Sequence, residues 1–168
     1  MRNASIPAFR KSIYLAPQYI PHTLSLPLKQ LNMKRHSTAV WNGSGKEGSG
    51  YLTSQSTVLN KTQYSYKSRF EDGIGTNPEE LIAAAHAGCY TMKLTFILGG
   101  AGFTPESLES RCDITLDNGE ITKSEMEVTG KVPGITEEQF KQYVEEARAG
   151  CLIGHLFKCE ITANGHLA

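Results

Sequence analysis

The amino-acid sequence predicts an α+β fold, a mainly antiparallel sheet packed around one buried central helix. Three observations carry this expectation. Residues 77–98 open with strong helix-start signals and then run almost wholly apolar. Asn118-Gly119 separates two stretches that alternate apolar and polar, as the arms of a hairpin do. Strand-like stretches come in groups rather than in regular βαβ alternation, and no internal repeat is present.

In chain order, residues 36–42 (HSTAVWN) read as a first strand, followed by GSGKEGSG, a polar loop over residues 43–50. Residues 51–59 and 63–70 read as two further strands meeting in a hairpin near Asn60. The second of these places Tyr64, Tyr66, Ser68 and Phe70 on one face. The central helix starts from Asn77 as N-cap and Pro78 in the first position, with Glu79 and Glu80 complementing the macrodipole. Glu80 stands at capping-box spacing from Asn77, and Gly99-Gly100 ends the helix. Apolar residues lie on nearly all its faces, which predicts burial all round.

Residues 108–117 alternate through Leu108, Cys112, Ile114 and Leu116, and the return strand through Met126, Val128, Gly130 and Val132. Pro133-Gly134 stops that strand. Thr136 with Gln139 forms a capping box, and Ile135 with Phe140 a hydrophobic staple, for a second helix reaching residue 149 or 150. Its apolar stripe is Phe140, Tyr143, Val144 and Ala147. A last strand is expected over residues 159–163.

A chain of 168 residues fits one domain burying about two-thirds of its unfolded surface. Seventeen basic and seventeen acidic residues cancel, which argues against a whole-chain field drawing nucleic acid or anionic lipid. The charge is unevenly spread. Residues 1–32 carry Arg2, Arg10, Lys11 and Lys29 with no acid, are rich in proline and lack periodicity. They are expected to be a disordered extension, with organellar targeting as the second reading, and residues 33–168 to form the domain. No stretch of about 18 apolar residues is free of polar interruption, so no membrane span is expected. The four cysteines, Cys89, Cys112, Cys151 and Cys159, are too few for a disulfide scaffold and suit a reducing compartment, taken as the cytoplasm.

Arg69, Glu79 and Cys89 stand at equal spacing. An ordinary thiol is mostly protonated at neutral pH, and a guanidinium close by favours the nucleophilic thiolate. Arginine stays charged throughout, and a carboxylate such as Glu79 would hold its fork by bidentate pairing. Cys151 supplies a second thiol just after the second helix, as a reaction through sulfenic acid and disulfide requires. A straight helix rises about 15 Å over ten residues, so Glu79 cannot meet Cys89 of its own helix. Two antiparallel copies crossing near Ala83, Ala84 and Ala85 would bring Glu79 of one level with Cys89 of the other.

The stretches RFEDGIGTNPEELIAAAHAGCY, GGAGFTPESL, VPGIT and ARAGC…KCEIT resemble the OsmC/Ohr family of thiol-dependent hydroperoxide peroxidases, closest to its OsmC branch. The resemblance runs from about Met33 onward. It implies Arg69 and Glu79 as partners of a peroxidatic Cys89, with Cys151 as the resolving thiol. It further implies reduction of organic hydroperoxides through an intramolecular Cys89–Cys151 disulfide, without metal, flavin or haem. The disulfide would be reset by a dithiol or lipoylated-protein reductant, in oxidative or osmotic stress defence. The fold it implies is an intertwined α+β homodimer with two sites at the interface. After the second cysteine the family usually has Pro, a small apolar residue and Ser, where this chain has Leu152, Ile153 and Gly154.

Two other readings stand beside this one. Cys151, His155 and Cys159 fall on one face of any continuous helix and would supply zinc ligands. Alternatively, the fold serves as a non-catalytic ligand-binding protein. Tyr64, Phe70, Tyr90, Phe96 and Phe103 are expected to form an apolar pocket near the site. Cys112 is expected to be structural, and His86 to be packed in the core or at an interface.

Overall fold

The structure, a computed structural model, describes residues 33–168; the expected extension over residues 1–32 lies outside them. The elements fall in the unit Arg35–Ala168. Strands β1 (Ser37–Asn42), β2 (Ser49–Ser54) and β3 (Thr62–Ser65) form an antiparallel sheet in that order. A one-turn helix α1 (Tyr66–Phe70) and the long helix α2 (Pro78–Gly100) follow. Strands β4 (Ser107–Asp117) and β5 (Glu120–Lys131), helix α3 (Glu137–Gly150), a 3-10 turn at Gly154–Leu156 and strand β6 (Glu160–Leu167) complete the fold. The second sheet has the order β4-β5-β6.

Two of the expected strands are shortened. Residues 66–70 are helical, not extended, because Ser65 and Ser68 cap one another. The Ser68 amide donates to Ser65 Oγ at 3.1 Å and the Ser65 amide to Ser68 Oγ at 2.9 Å. Local side-chain bonds to the backbone outweigh the alternation of Tyr64, Tyr66, Ser68 and Phe70. The Ser68 hydroxyl also donates to the Thr76 carbonyl at 2.9 Å, which ties α1 to the segment leading into α2. The second strand ends at Ser54, five residues before the expected limit.

Helix α2 starts where expected, with Asn77 Oδ1 accepting from the Glu80 amide at 2.8 Å. The Glu80 carboxylate accepts from Thr76 Oγ1 at 3.0 Å instead of closing a capping box. Burial all round is not what the helix shows. Only the stripe His86, Tyr90, Leu94 and Leu98 is buried, because β4 and α3 cover that side alone. Met92 and Phe96, on the uncovered side, are 61% and 72% exposed. By length and composition α2 is also long and apolar enough to cross a membrane despite its polar residues, a property that core helices share.

Hairpin β4–β5 turns through Asn118 (φ 50°) and Gly119 (φ 83°), both left-handed as a two-residue turn requires. The second sheet is mixed: β6 runs parallel to β5, with Lys123 opposite Glu160 and Gly130 opposite Leu167. Helix α3 makes the crossover between them and so returns the chain in the same direction. It begins with the reciprocal Thr136/Gln139 cap and lays Phe140, Val144 and Ala147 into the core with Met126, Val128, Leu94 and Leu98. The Tyr90 hydroxyl donates to the Val144 carbonyl at 2.8 Å, joining the two long helices.

Helix α3 lies so close to the sheet that β5 and β6 present glycines beneath it. A methyl at Gly130 would stand 2.5 Å from Phe140 Cζ, and one at Gly165 2.4 Å from Val144 Cγ2. Phe140 is fully buried and has nowhere to retreat. Gly130→Ala is expected to destabilise the domain by about 1–3 kcal/mol, read as a lower urea midpoint at unchanged slope.

Candidate active site

The turn from α1 into α2 sets the first part of the site. Asn77 caps α2 with its side-chain oxygen and donates through Nδ2 to the Ser68 carbonyl at 3.2 Å. That double attachment holds the end of α1 over the first turn of α2. Arg69 then meets Glu79: Nε lies 3.2 and 3.1 Å from the two carboxylate oxygens, and Nη2 donates to Oε1 at 2.5 Å. The Glu79 side chain is only 14% exposed, and Arg69 38%. Pairing with the guanidinium holds the Glu79 carboxyl below the usual carboxylate range. The guanidinium also lies over the Phe70 ring, 5.0 Å from its centroid.

The second part lies further along α2. Cys89 is half-buried at the edge of the core, and Cys151 is fully buried where α3 ends; both thiols are free. Burial pushes the Cys151 thiol up from its ordinary value, while the Gly154 and Ile153 amides, which donate to its sulfur, pull the other way. The neighbouring Cys89 thiol adds to the upward shift. Cys151 has extended backbone (φ −75°, ψ 119°), so the chain leaves α3 there and re-enters a helical turn at Gly154.

Four sequence-predicted residues are thus brought together as two pairs, Arg69 with Glu79 and Cys89 with Cys151. Within one chain the pairs stay apart, because α2 is one unbroken helix and Glu79 and Cys89 are about 15 Å apart along it. A groove of about 530 Å³ runs from Arg69 and Glu79 past Cys159. It continues into an apolar hollow of about 370 Å³ lined by Ile82, Ala85, Ile121, Ile153, Leu156 and Phe157.

The expected aromatic pocket forms only in part: Tyr64 and Phe70 line a small cavity of about 140 Å³ beside Arg69, and the other three members lie elsewhere. Tyr64 packs on Trp41 and Phe70 on Tyr66, Tyr90 is in the core, Phe103 packs on Tyr143, and Phe96 is exposed. The zinc reading loses its geometric premise as well. Cys151, His155 and Cys159 do not share a continuous helix, and His155 Nε2 is 2.9 Å from the Ala149 carbonyl. Among the described residues no three His, Cys, Asp or Glu side chains cluster as metal ligands.

Sequence reasoning overlooked Ser124. It is fully buried, with Oγ 2.8 Å from His86 Nδ1 and 3.5 Å from Cys112 Sγ. The signal was present: Ser124 shares the inward register of Met126 and Val128, where a hydroxyl needs a partner. Cys112 is half-buried in this cluster, and burial raises its thiol.

The family profile described as OsmC-like protein matches residues 71–164 of the chain. The chain is 40% identical over 141 residues to the peroxiredoxin OsmC of Escherichia coli K12, covering 82% of this chain and 99% of that protein. The peroxiredoxin OsmC of Shigella flexneri matches to the same extent. Among solved structures, an OsmC-like protein from Mycoplasma pneumoniae superposes with a TM-score of 0.65 at 14% identity, covering 82% of this chain and 99% of that one. The organic hydroperoxide resistance protein OhrB of Bacillus subtilis does so with a TM-score of 0.56 at 19% identity, covering 79% and 98%. These two likenesses establish the fold.

Glu79 binds a proton less readily in the fold than in the unfolded chain. Its pairing therefore stabilises the fold fully above the ordinary carboxylate range, and that contribution is lost as pH falls through the lowered folded value. The stability gap between wild type and Glu79→Gln, read from urea midpoints, is expected to be widest near neutrality and to narrow below about pH 4.

Proposed function

The chain belongs to the OsmC-like protein family, and from that premise we propose that it is a cysteine-based peroxidase reducing organic hydroperoxides to alcohols. The observation that carries the reading is the juxtaposition of a half-buried Cys89 with a buried Cys151, both unpaired thiols. The Cys89 thiolate attacks the terminal peroxide oxygen, the O–O bond breaks, and the alcohol leaves with a proton, so that the sulfur becomes sulfenic acid. Cys151 then attacks that sulfur, water leaves, and a Cys89–Cys151 disulfide remains. A dithiol of the lipoyl type exchanges with the disulfide, restores both thiols and is itself oxidised. Four unpaired cysteines suit the cytoplasm, where such a protein would serve oxidative or osmotic stress defence.

Thiolate formation calls for a cation, and the guanidinium of the same chain is remote from Cys89. The site is completed by a second copy. Two α2 helices crossing antiparallel near Ala84 bring the partner's Cys89 to Arg69 and Glu79. Three features support this homodimer. The crossing point is a run of alanines, which permits close approach. The side of α2 bearing Met92 and Phe96 is uncovered in the single chain. The sheet β1-β2-β3 makes few contacts with the layer formed by β4-β5-β6, as expected of an element that packs on another subunit. Arg69, fixed by Glu79, then stabilises the attacking sulfur as an anion. The apolar hollow beyond Glu79 accommodates an alkyl chain and favours alkyl hydroperoxides over hydrogen peroxide.

Two experiments test this. With tert-butyl hydroperoxide and dihydrolipoamide, Cys89→Ser is expected to lose hydroperoxide consumption, and Cys151→Ser to stop after about one turnover per subunit. A folded Cys89→Ser variant with wild-type turnover would leave a ligand-binding role as the better reading. The shared site is tested by mixing two inactive variants, Arg69→Ala and Cys89→Ser, under conditions of subunit exchange. Half of the dimers are then mixed, each with one intact site, and about a quarter of wild-type activity is expected to return. A site contained within one chain would regain none.

A further inference from the structure

His86 is fully buried, one helical turn before Cys89, and its Nε2 has no hydrogen-bond partner among the described residues. Such an orphan is costly and rarely left without purpose. The other nitrogen is fixed: Nδ1 lies 2.8 Å from Ser124 Oγ and 3.7 Å from Cys112 Sγ. The Phe157 ring, centroid 5.0 Å away, flanks the imidazole. Nε2 faces the turn that carries the resolving thiol. A methyl built at Gly154 would lie 3.2 Å from Nε2 and 3.5 Å from Cys151 Cβ, so the imidazole and Cys151 approach one another across a residue with no side chain.

We propose that His86 accepts the proton of Cys151 when that thiol attacks the Cys89 sulfenic acid. This rests on the peroxidase reading above and deepens it. With Nδ1–H donating to Ser124 Oγ, Nε2 carries a free lone pair directed at the turn. Burial lowers the His86 pKa, so the ring is neutral and basic at neutral pH, while burial keeps Cys151 protonated and in need of an acceptor. In the step, a Cys151 sulfur lone pair forms the S–S bond and the S–O bond of the sulfenic acid breaks. The proton passes from Cys151 to Nε2 and on to the departing hydroxide, which leaves as water. The sulfenic sulfur is reduced and the Cys151 sulfur oxidised, so no further oxidant or reductant enters. The titratable groups around the ring are Cys112 from β4, Cys151 from the end of α3 and Cys89 from α2 itself, with Asp113 and Cys159 next to Cys112.

The test is a single turnover with one equivalent of tert-butyl hydroperoxide, reading hydroperoxide consumption, dimedone-trapped sulfenic acid and disulfide separately. His86→Asn is expected to slow disulfide formation on the order of a hundredfold near pH 7, far more than it slows hydroperoxide consumption. The deficit should shrink as pH rises above the ordinary thiol range, where Cys151 ionises unaided. Gly154→Ser, which brings a hydroxyl to Nε2 and occupies its lone pair, should slow the same step and guards against a His86→Asn variant that fails to fold. Disulfide formation at wild-type rate in either folded variant would overturn the proposal, as would a His86→Asn deficit equal in both steps and constant with pH. Failure of the wild type to consume hydroperoxide would instead overturn the peroxidase reading.

Discussion

The rigidity of one helix governs everything else in this molecule. Helix α2 runs unbroken from Pro78 to Gly100, and nothing along it allows its first turn to fold back on its middle. The ion pair at its start and the thiols near its centre are therefore separate chemical units within one chain. A structure that needed both at one point would have either to break the helix or to use two helices. The alanines at residues 83–85 favour the second solution, because they let two backbones come close where larger side chains would hold them apart.

The remaining elements hold α2 and orient what it carries. Its buried stripe is gripped by β4 and α3, with Tyr90 hydrogen-bonded across to the backbone of α3. Glycines at 130 and 165 let α3 settle onto the sheet, and the end of α3 delivers Cys151 against α2. At the other end, Ser65, Ser68, Thr76 and Asn77 form a chain of side-chain bonds to backbone that fixes Arg69 over Glu79. Each pair is thus positioned by its own local device, polar at one end and apolar at the other.

Much of this was legible in the sequence wherever a local rule decided the outcome. Asn118-Gly119, the Thr136/Gln139 box and the Asn77-Pro78 helix start all appear in the structure as the residues dictate. The pairing of Arg69 with Glu79 also followed from residue type, since a fork and a carboxylate match in shape. Where competing local and long-range forces met, the reading failed. Alternation through Tyr64, Tyr66 and Phe70 suggested a strand that the Ser65/Ser68 cap turned into helix. An apolar circumference on α2 suggested burial that a single chain cannot supply. The aromatic pocket formed only around Tyr64 and Phe70 for a related reason: Tyr90 and Phe103 pack against whichever element passes nearest, and Phe96 is exposed. The parallel β6 depends on a crossover that no short window of sequence contains, and although the inward register of Ser124 could be read, its partner His86 lies 38 residues away on another element.

That crossover has a consequence for how the chain is made. Val144 and Phe140 of α3 rest on Gly165 of β6, and β6 is the described element synthesised after all the others. Until it emerges from the ribosome, α3 has only half its floor, and part of its apolar stripe waits uncovered through translation. Parallel pairing across an intervening helix is also a long-range closure, slow by comparison with a hairpin. The hairpin β4–β5 can zip as it is made, but the hydrophobic interior closes only when translation has passed β6.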